Sequence, residues 1–300
     1  MWQGYALGSL IAGALESVAD KAGIVHDARI DSYVATFYRV SCYLAAVTLL
    51  GFSGLFGELQ FFFHWTLPLL GVLATISSLL FTYLLRRLEI TVIGALAYVA
   101  PIVFLCIDTA VIGVDLSGIQ ILGILFLVGG AIAFVLDGVT HHFRRIFTWR
   151  IAGALFLMTV VYAGADAYLF KYLHSAYQLS AVSYSFSTHL FNVVFLFGIV
   201  VARGSFAHLF DTAAIRYLPY AAIGKSFDAV NTIFYLLALP LVSVSQLTAF
   251  TALSPLVLFL VAALTQGLFR FSLQEHLRAH NAPWKLGAAI VLVVGGLMVG

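Results

Sequence analysis

Charge is scarce in this sequence: Asp, Glu, Lys and Arg make up 9% of its 300 residues, while 62% are hydrophobic. Soluble domains carry about 25% charged residues, because polar surface keeps them dissolved. An ordinary soluble domain is excluded, and the solvent around the chain has to be largely lipid. The net charge is only +2 and the basic residues form no stripe, which sets nucleic acid aside as a partner. Cysteine is nearly missing as well. Cys42 and Cys106 fall in apolar runs without C-x-x-C or Cys/His spacing, so neither a disulfide framework nor a zinc site is supported. No G-x-x-x-x-G-K-[ST] loop occurs, which argues against transport driven by nucleotide hydrolysis at such a loop. His141 and His142 lack the carboxylate company of a catalytic metal site. No cofactor is expected.

What the sequence has instead is long apolar runs. A helix needs about 20 mostly apolar residues to cross the hydrocarbon core, and ten segments qualify, near 4–24, 32–53, 65–86, 90–112, 117–137, 150–172, 180–202, 217–239, 244–267 and 284–300. They are continuous runs, which fit helices better than the alternating strands of a barrel. The first begins within MWQGYALGSLIAGALES, which has neither a basic residue ahead of its apolar stretch nor a small-residue cleavage site. It reads as a membrane helix retained in the mature protein.

The fourth and ninth segments open on related phrases, EITVIGALAYVAP (89–101) and SVSQLTAFTALSP (243–255). Each places a proline, Pro101 or Pro255, inside an apolar run. Glu16 and Lys21 in the first segment match Asp166 and Lys171 in the sixth, and the fifth and tenth share a glycine, an apolar run and a glycine pair. This order predicts two five-helix repeats, 1–138 and 150–300, joined by a basic linker at 139–149. An odd number of helices per repeat forces the second copy to enter the membrane inverted. Arg29, Arg86, Arg87, Arg144, Arg145, Arg150, Arg203, Arg216, Arg270, Arg278 and Lys285 all lie in or beside the loops after odd-numbered segments. Basic loops stay in the cytoplasm, so the bias flips between copies as an inverted repeat requires. The linker is then cytoplasmic and both termini are non-cytoplasmic, in a multi-pass protein of a cell (inner) membrane.

Two five-helix halves, each with a helix reading roughly A-x-x-x-P and then a Gly-rich last helix, resemble the drug/metabolite transporter superfamily and within it the EamA-like family. The stretch 247–300, with Pro255, Glu275 and Gly287, is similar to that family's second-half signature, and Arg39 resembles an arginine of its second helix. The resemblance implies an all-α membrane protein whose helices one, three, four, six, eight and nine surround a central cavity.

Ionisable residues deep in a membrane segment cost about 2.5–3.5 kcal/mol each on insertion scales, so each is a functional candidate by default. Asp108 follows Pro101 by two helical turns, and its repeat counterpart is Ala262. It reads either as a substrate or proton site or as a buried hydrogen-bonded carboxylate. Glu16 shares a face with Asp20, and two close carboxylates can hold a proton between them. Asp20 and Lys21 read as solvated at the cytoplasmic interface. Asp166, the repeat partner of Glu16, should approach it near the midplane, while Lys171 reaches the far interface. Lys225 and Asp228 can pair on the eighth helix, with Asn231 deeper as a hydrogen-bonder. His189 and Asn192 read as helix glue. Tyr98, Tyr162 and Tyr168 offer aromatic walls with polar tips. Pro101 and Pro255 are candidate hinges.

These features point to a secondary transporter moving a small organic metabolite by alternating access, proton-coupled or exchanging, as monomer or homodimer in the bilayer. The alternative is a membrane-embedded enzyme, or a flippase, acting on a lipid-linked substrate.

Overall fold

The structure, a computed structural model, describes residues 1–26, 30–86, 99–139, 149–265 and 282–299. Backbone amides and carbonyls in lipid must find partners within the protein, and the chain meets this almost entirely with helices; among the described residues there is no strand. The elements are α1 (Trp2–His26), α2 (Ser32–Phe52), α3 (Thr66–Leu85), α4 (Ala100–Ile112), α5 (Gly118–Val139), α6 (Trp149–Tyr177), α7 (Ala181–Ala202), α8 (Thr212–Ala238), α9 (Val244–Phe250), α10 (Ser254–Thr265) and α11 (Ala282–Val299). Every expected apolar segment coincides with helix wherever it is described, the ninth being divided between α9 and α10. The repeated phrase at 89–101 falls mostly outside the described residues, as does most of the 139–149 linker.

Among the described residues, four helices are long and apolar enough to cross a membrane: α2, α3 (Thr66–Leu84), α6 and α7. α1 and α8 have the length, at 25 and 27 residues, but carry the ionisable side chains described below. Large apolar residues such as Phe52, Val111 and Leu297 stand on the surface, as a lipid-facing exterior requires.

Local sequence sets the helix starts. Asp31 caps α2, accepting from the amides of Tyr33 (2.8 Å) and Val34 (3.2 Å). Ser180 caps α7, and Ser243 caps α9 in a capping box with Gln246. Two helices widen into π-helical turns, at Asp108–Ile112 in α4 and Leu157–Tyr162 in α6. A 3₁₀ turn, Thr251–Leu253, separates α9 from α10.

Packing follows glycine. α1 lies along α8 because a Cβ at Gly8 would sit 2.7 Å from Phe234, at Gly13 3.1 Å from Asn231, and at Gly224 2.9 Å from Asp20. α5 and α11 approach through Gly123 and Gly295, each of which would drive an added Cβ to within 3.0 Å of the other's carbonyl oxygen. With no hydrophobic force between helices in lipid, such close approach is what associates them. Further contacts join α2 to α7 and α8, α3 to α6 and α7, α4 to α6 and α9, and α1 to α10.

One segment without regular structure, residues 58–64, runs beside α7. Ser183 accepts from the amide of Gln60 at 2.9 Å and donates to the carbonyl of Glu58 at 2.8 Å; Ser187 accepts from the amide of Phe62 at 3.0 Å. A row of hydroxyls on a helix thus does the work of a neighbouring strand. Ser187→Ala leaves the Phe62 amide without this acceptor and is expected to cost about 1–3 kcal/mol. Amide hydrogen exchange at Phe62 should then accelerate; unchanged protection would remove this role.

Candidate functional site

α1 and α8 each carry a polar stripe at helical spacing, Ser9, Gly13, Glu16 and Asp20 on one, and Lys225, Asp228, Asn231 and Tyr235 on the other. Steps of three and four residues place each set on one face, and the glycine seam presses the two faces toward each other. Between them and α2, α3, α4, α6, α7, α9 and α10 lies a cavity of about 580 Å³.

Its charged wall is a network centred on Lys225. The ammonium donates to Glu16 of α1 and, at 2.7 Å, to Asp228 one turn along α8, and lies 3.3 Å from Asp20. Asp20 also receives the Arg39 guanidinium of α2 at 2.5 Å. Arg39 lies over the Phe81 ring of α3 at 4.8 Å and donates to Thr82 at 3.4 Å. Five ionisable groups thus tie α8 to the consecutive helices α1 and α2. Asn231 accepts from Ser9 at 2.5 Å, continuing the seam deeper.

The opposite wall comes from α6. Its π-helical turn inserts a residue into the register, a device frequent at functional sites, and Met158, Thr159, Tyr162 and Asp166 line the cavity from there. Tyr184 donates to Asp166 Oδ1 at 2.8 Å. Asp166 has no ion-pair partner among the described residues. His189 packs on Tyr43 with ring centroids 4.1 Å apart, and its Nδ1 bonds the Ser185 carbonyl at 2.9 Å. Thr248, Thr251, Ser254 and Pro255 complete the lining at the break between α9 and α10.

Of the residues singled out from sequence, Glu16, Tyr162, Asp166, Lys225, Asp228, Asn231 and Pro255 therefore meet around one cavity. Tyr98 lies outside the described residues. Asp108 is buried in α4 away from the cavity lining: its Oδ2 accepts from the Ser245 amide at 2.7 Å and its Oδ1 from the Tyr168 hydroxyl at 3.0 Å. This geometry is that of a hydrogen-bonded carboxylate holding the N-terminus of α9. Asp108→Ala removes both acceptors and is expected to lower stability by about 1–3 kcal/mol, read as thermal unfolding of the purified protein. No loss would exclude the clamp.

One expectation needs correcting. Asp20, read as interfacial and solvated, is 2% exposed and ion-paired. Lys171 donates to the Val242 carbonyl at 2.8 Å and so ends on protein backbone. Pro101 and Pro255 are the second residues of α4 and α10. Pro255 directly follows the 3₁₀ turn Thr251–Leu253, where α9 gives way to α10, and residues 87–98, ahead of Pro101, lie outside the described residues. Asn192 joins α7 to α3 by accepting from Thr75 at 3.0 Å, the expected glue, and it also lines the cavity. Arg39 and Tyr43 were missed as site residues. Arg39 carried the signal, an arginine near the middle of an apolar segment.

No family model matches the chain, and no curated protein does. A solved structure described only as "Crystal structure of protein" is similar to it with a TM-score of 0.67 and 13% identity, over 98% of this chain and 95% of that one. The fold recurs. At that identity the likeness speaks for architecture alone, and what the chain does rests on its own residues.

Proposed function

We propose that the chain is a secondary transporter that carries a small organic solute across a membrane by alternating access, built from ten spans in two inverted five-helix halves of the EamA-like type. The observation that carries the reading is the cavity: a space lined by charged and hydroxyl-bearing side chains from helices of both proposed halves, in a chain otherwise suited to lipid. Helix packing supports the inverted repeat. If α1 to α5 correspond to α6, α7, α8, the α9–α10 pair and α11, then α2, α4 and α5 each pack on their own counterparts. Three further sets of contacts come in mirrored pairs: α2 on α8 with α7 on α3, α1 on α8 with α6 on α3, and α1 on α10 with α6 on α4. The charge bias is supported too, since Arg86 donates to the Ile30 carbonyl and Arg203 lies 4.6 Å over the Tyr33 ring, so the arginines after α3 and α7 gather at the start of α2.

Alternating access needs a cavity wall that breaks and reforms. The Arg39–Asp20 and Lys225–Glu16 pairs connect α2 and α8 to α1, and the α9–α10 break offers a bending point on the other side. The carboxylates sharing Lys225 are the candidate site for proton coupling. The test is uptake into sealed vesicles of purified protein with a panel of radiolabelled amino acids, amines and nucleosides. Saturable entry of unaltered label is the expected result. A chemically altered product would point to a membrane-embedded enzyme, and movement of lipid-linked sugar alone to a flippase. An impermeant reagent should label tags at both termini from outside.

A further inference from the structure

The cavity is short of positive charge. Glu16, Asp20, Asp166 and Asp228 line it, against Arg39 and Lys225; with every group ionised, four carboxylates less two cations leave a formal excess of two negative charges. The pairing shows where the deficit lies. Arg39 is paired with Asp20 through Nη2, only its Nε being left without a partner, and Lys225 is shared by Glu16 and Asp228, so each cation already carries a carboxylate. Asp166 stands on the opposite wall without a cation. Its Oδ1 is fixed by Tyr184, while its Oδ2 has no hydrogen-bond partner among the described residues. Around the same chamber are the rings of Tyr43, Tyr162 and Tyr235 and the apolar side chains of Leu10 and Met158. Tyrosine faces attract cations, and a charge shielded from water gains most from such contacts.

We propose that the solute is an organic cation, an ammonium joined to an apolar or aromatic body, whose charge docks on Asp166. This names the solute class of the transporter read above and rests on that reading. A free carboxylate on the solute would face an already negative chamber whose two cations are occupied, so anions are rejected and zwitterions bind more weakly than cations.

Four probes of similar body and different head test it: phenethylammonium, 2-phenylethanol, 3-phenylpropionate and phenylalanine. Binding is measured on the purified protein in lipid nanodiscs by calorimetry, and entry on sealed vesicles. Phenethylammonium is expected to bind at least about tenfold more tightly than the other three, a 1.4 kcal/mol preference. Asp166→Asn should abolish that preference, and Asp166→Glu, which keeps the charge, should retain it. Equal binding of all four, binding of none, or tighter binding of the carboxylates overturns the proposal, and the wild-type protein alone decides this even if Asp166→Asn fails to fold. The arms separate the two claims. Tight ammonium binding without entry of any label would leave the cation site and remove transport; saturable entry of propionate but not ammonium would leave transport and remove the cation site.

Discussion

Replacing Lys225 with methionine is expected to destabilise the protein by about 3–5 kcal/mol, because it strips the cation from a buried charge network while leaving the carboxylates in place. Lys225 is 6% exposed and is the ion-pair partner of both Glu16 and Asp228. Asp20 would keep Arg39, but the other two would face each other across the α1–α8 seam with no counter-charge. The effect should be largely relieved when Glu16→Gln is added, since one of the stranded charges is then gone. Unfolding curves of the wild type, the two single variants and the double variant give the coupling directly. If Lys225→Met unfolds like the wild type, the network is not holding α1 against α8.

Gly295→Leu is expected to have the second large effect. A Cβ at Gly295 would already lie 2.9 Å from the Gly123 carbonyl oxygen and 2.9 Å from the Leu127 amide, both backbone atoms that cannot swing aside. Overpacking a fitted core costs about 1–3 kcal/mol, and a whole isobutyl group at a backbone contact belongs at the top of that range or beyond it. The neighbouring glycines provide the control. Gly129 has nothing within 4 Å of an added Cβ, so Gly129→Ala should be neutral or stabilising by up to about 1 kcal/mol, the difference in helix propensity. A Gly295→Leu variant as stable as Gly129→Ala would mean that α5 and α11 are free to separate.

That contrast also shows how far the sequence could be read. Both helices contain a glycine pair, 129–130 and 295–296, and the pairs are plain in the sequence; that Gly130 and Gly295 are the tight members and Gly129 is open depends on how the two helices are rotated. Glu16, Lys225 and Asp228 were legible because an ionisable group deep in an apolar segment is costly wherever it points. Asp20 was misjudged for the complementary reason. Position near a helix end says how far along the axis a residue lies, not whether Arg39 of another helix covers it. Asp108 was visible as an anomaly, yet its partners, Tyr168 and the Ser245 amide, lie 60 and 137 residues away. The π-helical turn of α6 left no compositional trace at all, because LMTVVY, residues 157–162, is as apolar as its surroundings. Helices were written in local hydropathy; their facing and their partners were not.

The hydroxyls that hold residues 58–64 have a consequence for how the protein is made. The amides of Gln60 and Phe62 find their acceptors on Ser183 and Ser187, 123 and 125 residues later in the chain. Glu16 waits still longer, since Lys225 follows it by 209 residues. During synthesis the early helices therefore enter the bilayer with unmet backbone groups and an unneutralised carboxylate, which only the later helices can satisfy. Expressed alone, residues 1–138 would be an unfinished half, prone to degradation, and rescue by a separately expressed 150–300 fragment would measure how late in its own biogenesis this chain becomes a folded protein.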